Sequence, residues 1–153
     1  MRIVVIGIGN PLMGDDGFGV EVVEKLKGKV PNFVELYKYE VLNFQVLNVI
    51  ENSDVTIIID VIKSNGNPGD IYVVDFKELN RRYGRITSLH DLDIVKIIEV
   101  GRFVYNLPEK IVIVGVEPER IEFGIGLSEP VRKVIPKVID LIINLIYKLN
   151  SNK

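Results

Sequence analysis

Ile3-Val4-Val5-Ile6-Gly7-Ile8-Gly9-Asn10-Pro11-Leu12-Met13-Gly14-Asp15-Asp16-Gly17-Phe18-Gly19 holds, in order, a β-branched apolar run, a breaker-rich turn and the start of a helical pattern. The run from Ile3 to Ile8 is apolar with almost no interruption, as expected of a strand covered on both faces. From residue 17 to 27, Val20, Val22, Val23 and Leu26 fall on one broad face and Glu21, Glu24 and Lys25 lie outside it. A buried strand that feeds an amphipathic helix is the opening half of a βαβ unit.

The rest of the chain continues the alternation. Similar apolar runs occupy residues 55–61, 71–74 and 111–116, and the less regular stretch 33–41 reads as a more exposed strand. Helical patterns fall at 44–52, at 92–105 and after Ser128, which is a good N-cap with Pro130 tolerated in the turn behind it. Pro136 should bend this last pattern or end a first segment of it. Asn65-Gly66-Asn67-Pro68-Gly69-Asp70 breaks the chain between the third and fourth strands, and Leu107-Pro108 precedes the fifth. The link between residues 61 and 71 has no helix, so one strand is expected to run antiparallel. The reading is an α/β fold: a three-layer α/β/α sandwich with a twisted, mostly parallel sheet of about five strands. A single domain over residues 1–153 is expected.

Composition removes several classes of function. The formal net charge is −2 and no basic run exceeds Arg81-Arg82, which argues against nucleic acid and anionic membranes as partners. Cys is absent, so disulfides, a thiolate nucleophile and a cysteine-held zinc are all excluded. No apolar run approaches the roughly 20 residues of a membrane span. The Ile- and Leu-rich stretch 135–149 is interrupted by Lys137, Asp140, Asn144 and Lys148 and reads as a packed helix. The opening residues are too short and strand-like for a signal peptide, so a soluble, cytoplasmic protein is expected.

The turn after the first run invites comparison with a dinucleotide fingerprint. The third glycine of that motif would fall at Leu12, and Pro11 lacks an N–H where a pyrophosphate needs one. Asp15 and Asp16 also stand at the helix entrance, where a phosphate would bind. Nucleotide binding is therefore disfavoured. The two carboxylates suit helix capping, and one of them a metal; the glycines around them suggest open space beside the pair. Asp60 ends a run that must be buried, so it needs a backbone donor, a charged partner or a metal. His90 supplies the only imidazole and lies at another helix entrance, although alone it reads as an ordinary partly exposed histidine or a cap. Asp16, Asp60 and His90 together are compatible with Ni, Zn, Fe or Mn, with coordination positions left open. Residue chemistry alone thus points to a transition-metal site and to no particular reaction.

In these motifs the chain resembles the hydrogenase maturation endopeptidases. The likeness runs from residue 1 to about residue 149 and includes the glycine- and acid-rich opening turn, the strand end at Asp60 and the Asn67-Pro68-Gly69-Asp70 turn. It also includes Ser88-Leu89-His90, Val114-Gly115-Val116-Glu117-Pro118 and Gly126-Leu127-Ser128-Glu129-Pro130-Val131. The resemblance implies an aspartic-type, nickel-dependent peptidase in which Asp16, Asp60 and His90 are both the catalytic and the metal-binding residues. It further implies that nickel is delivered by the substrate, the precursor of a [NiFe] hydrogenase large subunit, whose C-terminal extension is then removed. Asp15 would be a cap or a supporting partner. Relatives usually carry small residues after the second strand, whereas residues 39–44 here lack glycine and are expected to be stiffer. Alternatives are a non-cleaving protein that checks for nickel during hydrogenase assembly, and a metallohydrolase with its own bound metal.

Overall fold

Every residue of β1 (Ile3–Ile8) is buried, and the sheet is built outward from it. The computed structural model describes residues 1–79 and 89–152, with side chains described for 1–79 and 94–152. β1 pairs in parallel with β2 (Val34–Tyr39) on one side and with β3 (Val55–Val61) on the other. β3 pairs in parallel with β5 (Lys110–Val116), and β5 pairs antiparallel with the edge strand β4 (Ile71–Asp75). The spatial order is β2-β1-β3-β5-β4. The expected antiparallel strand is β4, yet it does not lie beside β3. The helix-free link carries the chain past a gap one strand wide, which β5 fills.

Alternation along the strands sends side chains to two separate cores. Ile3, Val5, Ile57, Ile59, Val112 and Val114 face α1 (Phe18–Leu26) and a long C-terminal helix. Val4, Ile6, Ile8, Ile58, Ile111 and Ile113 face α2 (Gln45–Ile50) and α3 (Leu89–Gly101). The result is the three-layer α/β/α sandwich expected from the sequence. The last helical pattern is divided into α4 (Glu129–Arg132) and α5 (Ile135–Ser151), with Pro136 in the first turn of α5, where its missing N–H has no helical partner to lose. α2 is shorter than the 44–52 pattern suggested, and α3 starts before and ends before its expected 92–105 span.

α1 lies unusually close to the sheet. A Cβ placed on Gly19 would sit 2.2 Å from the Ile59 carbonyl oxygen and 2.7 Å from that of Ile8. Only glycine lets the first turn of the helix rest on these strand ends. Helix propensity alone would make Gly19→Ala stabilising by about 1 kcal/mol. We expect instead a loss of about 3 kcal/mol from backbone overpacking, read as a lower midpoint in urea denaturation. An unchanged or raised midpoint would show that the helix can lift off the sheet at no cost.

Candidate functional site

In an open α/β sheet, ligand-binding groups collect beyond the carboxyl ends of the parallel strands. Gly7 is in register with Ile59, and Asp60 with Gly115, so Asp60 falls at that edge next to the end of β1. The chain leaves β1 through Gly9, whose φ of 141° accommodates a sharp turn, and enters a 3-10 turn at Gly14–Gly17 that carries Asp15 and Asp16. Two carboxylates 44 positions apart in sequence are thereby brought to the same edge. Asp16 is 2% exposed and Asp60 1%. Asp16 Oδ2 accepts from the Asn10 N–H at 2.9 Å, which pins the turn to the end of β1. Asp60 Oδ1 accepts from the Val61 N–H at 2.8 Å, so the backbone donor considered for it is part of its environment.

Neither Asp15 nor Asp16 caps α1: the N-cap position is Gly17, and no side chain bonds there. Asp15 instead reaches a segment more than a hundred residues away. Its Oδ2 accepts from the Glu119 N–H (2.8 Å), the Arg120 N–H (3.1 Å) and the Ser128 hydroxyl (2.8 Å), and its Oδ1 accepts from the Ser128 N–H (2.7 Å). Its own N–H donates to the Arg120 carbonyl at 3.1 Å. A fully buried carboxylate is tolerated here because these dipoles replace its lost hydration. Ser128 precedes α4, as an N-cap should, but its hydroxyl serves Asp15 and makes no bond to that helix.

The glycines of the turn do not open space beside the carboxylates. A Cβ on Gly17 would lie 2.7 Å from Pro11 Cα, and one on Gly9 would overlap the Asp16 carbonyl. They permit close backbone packing, because a strand end, a turn and a helix start all converge on the same edge.

Sequence reasoning passed over Glu117 as a functional candidate. It is buried just beyond β5, and its Oε1 accepts from the Ser64 N–H (2.9 Å), the Gly66 N–H (2.7 Å) and the Tyr72 hydroxyl (2.8 Å). It therefore fixes the link that follows Asp60. The available signal was an acid closing an apolar run, the same pattern that drew attention to Asp60. His90 falls in the first turn of α3. Its imidazole lies outside the described residues, so its convergence with Asp16 and Asp60 does too. Among the described residues no three metal-ligating side chains gather.

A cleft of about 340 Å³ flanks the acidic turn, with Pro11, Gly17 and Val20 on one side and Ile125 and Leu127 on the other. At its polar end, Lys38 (2.6 Å) and Lys27 (2.9 Å) bind Glu24 and hold its carboxyl down at about 2. Buried carboxylate oxygens and an open, partly apolar cleft thus lie on either side of the same turn. Such carboxylates can bind a divalent cation or take a proton from water.

Residues 20–145 match the family model described as hydrogenase maturation protease, a match that begins just after the acidic turn. The chain is 32% identical over 146 residues to the hydrogenase 2 maturation protease of Escherichia coli strain K12, covering 94% of this chain and 89% of that one. Its structure is similar to that of the hydrogenase maturating endopeptidase HybD from E. coli, with a TM-score of 0.87 and 30% identity over 97% of this chain and 93% of that one. It is also similar to the [NiFe] hydrogenase maturation protease HycI from Thermococcus kodakarensis KOD1, at a TM-score of 0.77 and 26% identity, covering 95% and 92%.

Proposed function

The chain belongs to the hydrogenase maturation protease family, and from that premise we propose that it is an endopeptidase that recognises nickel in the precursor of a [NiFe] hydrogenase large subunit and removes its C-terminal extension. The observation that carries this reading is the placement of Asp16 and Asp60, both buried, at the carboxyl edge of adjacent parallel strands.

In this reading Asp16, Asp60 and His90 receive the nickel, which arrives as part of the substrate and supplies Lewis acidity when bound. Three protein ligands with positions left open suit a metal that stays attached to another protein. The absence of Cys favours return of the ion to softer ligands on the precursor. A carboxylate at this edge can also act as general base toward water. The proposed compartment is the cytoplasm; among the described residues no helix is long and apolar enough to cross a membrane.

Incubating the protein with purified precursor, with and without nickel, and measuring precursor mass tests the proposal. Mass loss is expected only when nickel is present. Nickel-dependent binding without mass loss would favour a protein that checks the metal and does not cut. Stoichiometric metal in the purified protein, with no partner present, would favour a hydrolase with its own ion.

A further inference from the structure

Phe123 and Ile125 are large apolar side chains left 86% and 87% exposed, and Leu12, opposite them, is 51% exposed. They do not hang on a loose loop. The Gly124 N–H donates to the Leu12 carbonyl at 2.8 Å, the Gly14 N–H donates to the Gly124 carbonyl at 2.9 Å, and Met13 and Gly124 form a parallel bridge. The segments 12–14 and 123–125 therefore form a small fixed ribbon. Asp15 ties down both flanks of the second segment through Glu119, Arg120 and Ser128. Gly126, at φ 103°, adopts a conformation open to glycine, and the chain then turns Leu127 inward, where it is buried. Folding has thus spent specific structure on keeping apolar side chains in water beside the acidic edge, the pattern of a surface that a partner covers.

We infer that this ribbon and the cleft behind it are the docking surface for the tail of the protein substrate. The occupant is an extended peptide whose apolar side chains cover Leu12, Phe123 and Ile125 and enter the cleft beside Pro11 and Val20. The inference rests on the proposed peptidase reading. This occupant is favoured by continuity with the site: Met13, which bridges to Gly124, accepts the Asp16 N–H at 3.2 Å, so a chain lying along the ribbon passes beside the acidic turn. The cleft volume, about 340 Å³, is at the lower end of ligand-pocket sizes and accommodates side chains of one strand.

The test is the double variant Phe123→Ser/Ile125→Ser, assayed with nickel-loaded precursor. Both residues are exposed, so thermal unfolding should match the wild type. The KM for precursor should rise at least about tenfold with kcat changed less than about twofold, as for loss of a binding hot spot that takes no part in the chemistry. Cleavage with unchanged KM overturns the docking surface and leaves the proposed function intact. Loss of self-association in light scattering, with KM unchanged, overturns it too and marks an interface between copies of this chain. Should the wild type not cut at all, the peptidase reading fails. Calorimetric binding of the precursor to wild type and variant then decides the surface: tenfold weaker binding upholds it, and equal binding removes it.

Discussion

Asp60→Ala is expected to slow nickel-dependent processing of the precursor at least about 100-fold while the protein stays folded, since in the proposed reading Asp60 holds the nickel directly, and losing such a ligand should cost no less than losing a group that merely supports one. The carboxylate is almost wholly buried and lies at the edge where β1 and β3 end. It accepts the N–H of its own neighbour, Val61, and losing that acceptor costs about 1–3 kcal/mol. β3 is paired on both sides, with β1 and with β5, so the strand keeps its place. Asp60→Asn sharpens the test. It preserves shape and an acceptor for Val61 while replacing the charge and the second oxygen by a neutral NH2, so it should be destabilised less than Asp60→Ala and still lose most activity. Asp16→Ala and His90→Ala complete the series, read by precursor mass and by urea denaturation. Full activity in all three alanine variants would show that the site lies elsewhere.

Asp15→Ala should have the opposite profile, with stability as its first casualty. It strands four buried or half-buried donors, from Glu119, Arg120 and Ser128, in one step. Each unsatisfied group costs about 1–3 kcal/mol, but the segment can relax and admit water, so the sum should fall near 3–5 kcal/mol. For a chain of this length that lowers the melting temperature by about 10 °C. Asp15→Asn separates charge from connectivity. With its oxygen at the Oδ2 position it retains three acceptor bonds, and its amide group then faces the Ser128 N–H, so an intermediate loss is expected. Calorimetric melting of the two variants beside the wild type checks the order. If Asp15→Ala melts with the wild type, the carboxylate does not hold the 119–128 segment in place.

The sandwich was legible because five apolar runs and the helical patterns between them are local signals. Asp60 was legible for the same reason: a charge closing the run Val55-Thr56-Ile57-Ile58-Ile59 contradicts its surroundings. What Asp15 does was not legible. Its partners lie more than a hundred residues away, and three of its four donors are backbone N–H groups, two of them on residues, Glu119 and Arg120, whose types carry no hint of the contact. The position and residue type of Ser128 both suit a cap, and only tertiary contact redirects the hydroxyl. The glycines gave a false impression of space, since a sequence shows that a side chain is missing and not what fills its place. The seat of β4 at the far edge was likewise hidden, because strand neighbours are chosen by the whole sheet.

That seat has a consequence for how the protein comes into being. Of the five strands of the sheet, β5 is the last to leave the ribosome, yet it belongs inside, between β3 and β4. Until it arrives, one side of the strongly apolar β3 has no neighbour, a state open to pairing with another chain. The segment that secures Asp15 is synthesised later still. The acidic edge is therefore assembled only after residues 110–128 have emerged, by insertion rather than by addition at the margin, and a shorter nascent chain carries Asp16 and Asp60 without the framework that holds them.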